Sequence, residues 1–373
     1  MLTSVLGIRL MVLTGDAIPL PASQEVLSAI RRVEVTSDVA SKGDGFQMTL
    51  SLTKTKTGEY SLLEGGTLDP DRRVVIAVVF GVTPEVLIDG VITHHQLMPG
   101  DKPGAATLTV SGRDISVLMD LEEVNEAFPC QPDSVIVTRL LATYARYGIV
   151  PQVTPTADVP LPTSRVPRQC ETDLQFIRRL AARNNFVFYV EPVAPGASVA
   201  YWGAESRSGL PQPALTVNMG AATNVRDIDL TNDELSAVGT KGVFVEPITK
   251  MSISIPPLPE LRVPPLAART GTPRRTRLMR TTGNRDPVQA LLAATAEAGQ
   301  AEEPVKSNCV VDAARYGHAL RARRTVGLRG VGRTYDGLYY VKSVTHKIEP
   351  GSYTQSLMLT REGTGSLSPV LST

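Results

Sequence analysis

The sequence predicts a mainly β protein with an α/β insert (α+β), built as two tube-like antiparallel β-barrels flanking a small α/β domain. Three observations predict it. Short runs rich in Val, Ile, Thr and Tyr, separated by turn residues, fill both ends of the chain, which is the spacing of a barrel or sandwich. Between them, near Asp114, the apolar period lengthens from two residues to three or four. At 373 residues the chain also exceeds one ordinary hydrophobic core, so two or three domains are expected. The boundaries fall where the pattern changes: 1–118 for the first barrel, 119–212 for the insert, 213–362 for the second barrel and 363–373 for a flexible tail.

Each element follows from local chemistry. Residues 5–13 form a first strand, and Arg9 within that apolar run, with no basic segment before it, argues against a cleaved leader. Strands over 33–37 and 45–52 are separated by the turn residues Ser41 to Gly45, and strands over 73–81, 85–94 and 106–112 follow at hairpin spacing. In 74–79 both alternating sets are apolar, as in a strand covered on both sides. A helical period begins at Ile115, Leu118 and Met119 and continues through Leu121 and Glu122. A helix over 134–147 ends at Gly148 as a C-cap. After a proline-rich connector, 151–167, Thr172 and Gln175 stand at capping-box spacing. Leu174, Ile177, Leu180 and Ala181 then mark the core-facing stripe of a second helix, and 186–190 is a buried strand.

β-character returns over 215–217, 225–230, 236–245 and 250–255. The proline-rich loop 256–285 begins with prolines that cannot donate to a ladder, so it is a loop or an edge crossing. Asp286 and Pro287 open a helix over 286–301. Strands over 306–314 and 325–329 precede a closing hairpin, GLYYVKSVTHKIEPGSYTQSLMLTR over 337–361, whose arms flank the turn cluster Glu349-Pro350-Gly351-Ser352. The tail 363–373 is rich in Ser, Gly and Pro and is expected to fray.

Composition removes several function classes. Hydrophobic residues at 42% and charged residues at 20% describe a soluble globular chain, and a net charge of +1 offers no global attraction to nucleic acid. No run reaches the roughly 18 apolar residues of a membrane span. Cys130, Cys170 and Cys309 are widely separated, which excludes a CxxC metal knuckle and predicts free, mostly buried thiols in a reducing compartment.

Four segments carry a family resemblance. The closing hairpin has a YYVxxVTHxI strand, a GSY turn and a QSxxLTRE strand. Residues 33–52 are VEVTSDVASKGDGFQMTLSL, 110–120 are VSGRDISVLMD, and 170–190 are CETDLQFIRRLAARNNFVFYV. In this order they resemble the phage late-control-D family: baseplate hubs of contractile tails and tail-like injection systems, related to the hub half of VgrG. The resemblance implies a structural protein and not an enzyme. It implies a homotrimer whose six barrels adapt a sixfold inner tube to a threefold spike. Its partners would be a separate spike protein, the inner tube or tube initiator, and other baseplate components. It implies no cofactor, no nucleic acid and no membrane insertion. Fused VgrG chains continue into a β-helical needle, so the spike is expected as a separate polypeptide. Assembly in the bacterial cytoplasm into a tail-like particle, without a signal peptide, is the expected route.

His94 and His95, on an alternating strand, point to opposite faces and cannot share a metal without a bulge. His318 and His346 lack any metal-binding context and are expected to be satisfied or solvated. Glu122, Glu123 and Glu126 invite a glycosidase reading, but a helix would put Glu122 and Glu126 on one solvated face. Gly327, Gly330 and Gly332 lack a GKS ending and suit hairpin turns. Trp202 is a packing residue or an interface anchor. Arg321, Arg323, Arg324, Arg329 and Arg333 form the main charge cluster, echoed by Arg274, Arg275, Arg277 and Arg280. The competing readings for that cluster are solvated strand faces and contact with an acidic tube or spike partner. The alternative function is a tail-tip peptidoglycan hydrolase or effector carried in the insert; a cell-wall-binding module would need more exposed aromatics than 5% supplies.

Overall fold

A computed structural model describes residues 7–39, 43–56, 58–100, 105–160, 165–236, 238–245, 251–258, 264–271, 274–278 and 303–367. The helix expected over 286–301, parts of the proline-rich loop and the last tail residues lie outside these ranges.

The protein is mainly β with a small α/β insert. In the first β-unit, strands Ile8–Gly15, Ile30–Asp38, Gly45–Ser51, Arg73–Phe80, Thr83–Met98 and Thr107–Asp114 pair antiparallel. Alternation sets their faces. Val33, Val35, Met48, Leu50, Leu108 and Val110 are buried, while Gln47, Thr49, Thr109 and Ser111 between them are not. Each fully buried aliphatic side chain of this kind contributes about 1.5–3 kcal/mol. Arg73–Phe80 is covered on both sides as its composition predicts: Val74, Ile76 and Val78 enter the main core, and Val75 and Ala77 join Leu13 and Val86 in a separate one.

The closing β-unit contains Gln212–Thr216, Val225–Asn232, Val305–Asp312, Thr325–Arg329, Gly337–Glu349 and Ser352–Arg361. The last two strands form the expected hairpin, with Gly351 at φ +83° in its turn. The two β-units are not separate closed barrels. Ile30–Asp38 pairs with Gly337–Glu349 from Val33↔Ile348 to Ser37↔Val344 and Asp38↔Ser343, which fuses both units into one 13-stranded sheet. Among the described residues no ladder closes on itself. Each edge strand satisfies its backbone by pairing with the other unit, which removes two exposed edges at once. In the closing unit the remaining gap is bridged by a side chain: Asn224 accepts from Thr216 N at 2.9 Å and donates to Ala214 O at 3.1 Å.

In the insert, helix Asp173–Arg183 starts as predicted, with Thr172 Oγ1 accepting from Gln175 N at 3.3 Å. Leu174, Ile177, Leu180 and Ala181 are buried against helix Asp133–Ala142 and a sheet ordered Val187–Ala194, Ala197–Gly203, Ile149–Val153. Gly148, at φ +77°, ends the turn Ala145–Tyr147 that follows the first helix. Trp202 is a packing residue, wholly buried, donating to Ile177 O at 3.2 Å and meeting Phe186 edge-on.

Three expectations are corrected. The helical period after Asp114 is a short 3-10 segment, Ile115–Met119, followed by strand Glu123–Ala127, which pairs with Arg168–Thr172. Long-range pairing overrides local period here, and Glu122 and Glu126 share no helix face; Glu126 instead accepts from Arg139 at 2.8 Å. The tail is not frayed from its start, because Gly363–Ser366 pairs with Ala267–Thr270. Pro256 and Pro257 lie in strand Ser252–Leu258, at the edge of a small sheet and beside a register shift, where missing donors cost least. Among the described residues no helix is long and apolar enough to cross a membrane.

A Cβ on Gly112 would stand 2.3 Å from Val91 O and 2.5 Å from the Phe46 ring. Gly112→Ala is expected to destabilise the protein by about 2–3 kcal/mol, read as a lowered urea midpoint. Gly209→Ala, where nothing lies within 4 Å, should change it by less than about 0.5 kcal/mol.

Candidate functional site

The sheet forks within Gly337–Glu349. Its first part pairs with Thr325–Arg329, its second with Ile30–Asp38, and the register slips between Val341 and Ser343. Lys342 O accepts from Val39 N at 3.0 Å and Val341 O from Arg323 N at 2.9 Å, so each branch stays tied to the stem.

Arg323 fills the crotch of the fork. Its backbone is left-handed, with φ +63°. The guanidinium donates to both oxygens of Asp44, at 2.8 and 3.1 Å, and to Asp38 O at 2.5 Å. Tyr189 from the insert lies beneath it, 4.5 Å from ring centroid to guanidinium carbon. One side chain therefore touches the first β-unit, the insert and the closing unit. Asp114 lies beside it, fully buried, accepting from Ser116 Oγ at 2.8 Å. Burial, then the charge of Asp44, push the Asp114 carboxyl up to about 7, against the Ser116 hydrogen bond and the nearby Arg178 and Arg323. The cavity that Asp114, Ser116, Arg178, Tyr189, Arg323 and Tyr340 help to line is about 40 Å³, the scale of a water and not of a glycan.

The other predicted arginines are dispersed. Arg321 is half-buried near Glu191 and Glu85, where burial pulls its pKa below the ordinary value. Arg324 pairs with Glu191 of the insert at 2.7 Å. Arg329 Nε donates to Thr216 Oγ1 at 3.2 Å, and both Arg329 and Arg333 are exposed. Sequence reasoning missed three further buried arginines, of which Arg73 donates to both oxygens of Asp89 at 2.6 and 2.8 Å. Arg207 is held by Glu303 at 2.8 Å, Glu362 at 3.4 Å and Glu205 at 3.6 Å. Arg361 donates to three carbonyls, those of Gly363, Asp336 and Thr334. Arg207 and Arg361 each combine one near partner, Glu205 and Gly363, with others brought from distant segments, and it is the distant ones that nothing local marks.

The histidines form no centre. A bulge separates Ile92 from His94; His94 is exposed and His95 hydrogen-bonds to Leu68 O. His346 is satisfied by Tyr353 OH at 2.9 Å, and burial holds its pKa down to about 3. His318 faces Glu85 at 3.4 Å. Gly330 and Gly332, at φ +91° and +99°, serve the turn before Gly337–Glu349. Among the described residues no three His, Cys, Asp or Glu side chains gather for a metal. Of the cysteines only Cys309 is buried; Cys130 and Cys170 are exposed, because they lie in a turn and on a two-stranded ribbon.

No protein-family model and no curated protein matches the chain. Solved structures do match in fold. A tail protein from Neisseria meningitidis MC58 aligns with TM-score 0.60 and 14% identity over 96% of this chain and 98% of that one. The 43 kDa tail protein of prophage MuSo2 from Shewanella oneidensis gives 0.63 and 12% over 95% and 98%. An E. coli component of the type VI secretion system, itself structurally similar to the T4 tail proteins gp27 and gp5, gives 0.55 and 11% over 89% and 73%. The chain thus has the fold of phage tail proteins and of a type VI secretion component.

Two outcomes follow from the fork. A carboxyl raised in the folded state binds its proton more tightly there than when unfolded. The stability it contributes is present below its ordinary value near 3.8 and is lost as pH rises through about 7. Asp114→Asn should therefore raise the melting temperature at pH 8 and flatten its decline between about pH 4 and 7, measured by calorimetry. Removing one partner of the buried pair, in Asp44→Ala, should cost about 3–5 kcal/mol in urea unfolding, because Arg323 is left buried with its charge uncompensated.

Proposed function

We propose that the protein is the structural hub of a contractile tail or injection device, a homotrimer joining a sixfold inner tube to a threefold spike. The observation that carries this reading is the shape of the long sheet. It joins two β-units side by side and, because it forks, ends in three unlike edges: Val225–Asn232 and Gln212–Thr216, linked at one end by the Asn224 side chain, and Ile8–Gly15 with the two-residue Leu20–Pro21. Unlike edges favour head-to-tail contacts, which close as a ring. Three copies with two β-units each supply six similar units around one axis, the match needed for a sixfold tube.

The face of the sheet opposite the cores supports the same reading. Thr36, Gln47, Thr49, Thr109, Ser111, Thr345 and Ser356 present hydroxyls and amides there, with no aromatic among them. Arg32, Glu34, Lys347 and Glu349 share that face as a row of part-exposed ion pairs, so it is polar and hydrated with its charges balanced, which suits a channel through which cargo slides without sticking. Each chain divides into the ranges 1–118, 119–212, 213–362 and 363–373. The partner-contact role among the clustered arginines falls mainly to exposed Arg329 and Arg333, since Arg323 is engaged internally. The role is mechanical, with no catalytic step. The partners are a separate spike protein, the tube or its initiator, and other baseplate proteins, and assembly takes place in the bacterial cytoplasm.

Light scattering on purified protein, alone and with the spike, tests this. A mass near three times 40.0 kDa, or one appearing on adding the spike, is the expected result. A stable monomer that ignores the spike and clears cell-wall suspensions would overturn it in favour of a hydrolase.

A further inference from the structure

A separate three-stranded sheet is formed between Val225–Asn232 and Val305–Asp312 in the chain. Val238–Val245 lies at its centre, with Ser252–Leu258 antiparallel on one side and Arg275–Leu278 parallel on the other. All four residues of Arg275–Leu278 are exposed, Leu278 by 63%. Among the described residues no strand pairs with its outer edge. Its backbone groups on that side are a template for another strand.

The charge here is segregated. Between residues 238 and 280 the sequence holds eight Lys or Arg and two Glu, a surplus of six cations in a chain whose net charge is +1. Within the described strands and the residues beside them, Lys241, Arg274, Arg275 and Arg277 stand without any acid, and Arg274 reaches out to Glu234 at 3.1 Å. Arg275 and Arg277 share one face of the edge strand, roughly 7 Å apart. That is the spacing of alternate residues on a neighbouring strand, and a guanidinium fork matches a carboxylate with two donors.

We propose that this small sheet is a docking surface for an extended acidic segment of a partner protein, which adds as a fourth strand along Arg275–Leu278. Its backbone would complete the ladder, and carboxylates at alternate positions would meet Arg275 and Arg277. A polypeptide suits the surface better than nucleic acid. Phe244 is the lone aromatic between 238 and 280, so no stacking platform accompanies the cations. The inference stands apart from the hub reading, since it requires neither a trimer nor a spike.

Fluorescence anisotropy with the full chain and a labelled peptide of four Glu-Thr repeats tests it. The peptide should bind, more weakly as salt rises, and the double variant Arg275→Glu, Arg277→Glu should weaken it by about ten-fold or more. Both side chains are exposed, so the variant's circular dichroism should match that of the parent protein. A peptide N-methylated at alternate residues keeps the charge and lacks the edge donors, and it should also lose about ten-fold or more. The proposal is overturned if the peptide fails to bind, if charge reversal leaves binding unchanged, or if the N-methylated peptide or a short DNA duplex binds equally well.

Discussion

The architecture depends on one contact, the guanidinium of Arg323 against the carboxylate of Asp44. A continuous sheet that serves two cores must split somewhere, and at a split the diverging strands leave backbone groups that no ladder can satisfy. Here the gap opens where Gly337–Glu349 changes partner. Arg323 reaches into it with its donors, and Asp44, Asp38 O and the face of Tyr189 receive them. The left-handed backbone at Arg323 costs free energy on its own and persists because the surroundings over-determine it. Asp114 is caught in the same enclosure, where a second carboxylate next to Asp44 is expensive unless it keeps its proton.

The same device recurs twice more in the closing unit, once beside the same cavity. Arg207 lies over Tyr340 at 4.8 Å and Arg361 over Tyr339 at 4.4 Å, as Arg323 lies over Tyr189. Each buried cation is held by several acceptors and one ring face, an arrangement worth up to about 2 kcal/mol per ring when desolvated. Arg361 draws together the turn around Thr334, the strand start at Gly337 and the segment after the last hairpin strand. Arg207 ties the exit from the insert to Glu303 and Glu362. The strand ends are thus fixed by arginines, while aliphatic cores fix the strand middles.

Much of this was legible in the sequence. Alternation placed the strands of both units to within a few residues, Thr172 and Gly148 marked helix ends, and the closing hairpin was readable from its turn. What was not legible shares one cause, distance along the chain. Arg323 looks like its exposed neighbours until Asp44, 279 residues away, is brought to it. Glu123–Ala127 has the local period of a helix and becomes a strand through Arg168–Thr172. The merger of two expected barrels into one open sheet rests on pairing between strands whose composition says nothing about their partner. The family resemblance supplied the order of two β-units around an α/β insert, but not their merger.

That merger has a kinetic consequence. Thr36 meets Thr345 across 309 residues of chain, so the pairing that completes the first unit's edge has very high contact order. Until Gly337–Glu349 has been synthesised, Ile30–Asp38 can form its hairpin with Gly45–Ser51 but keeps one side bare. Arg31, Arg32 and Glu34 on that strand are the kind of charged residues that discourage a nascent edge from joining the wrong neighbour. Charge in this stretch shields that bare edge before the sheet is whole.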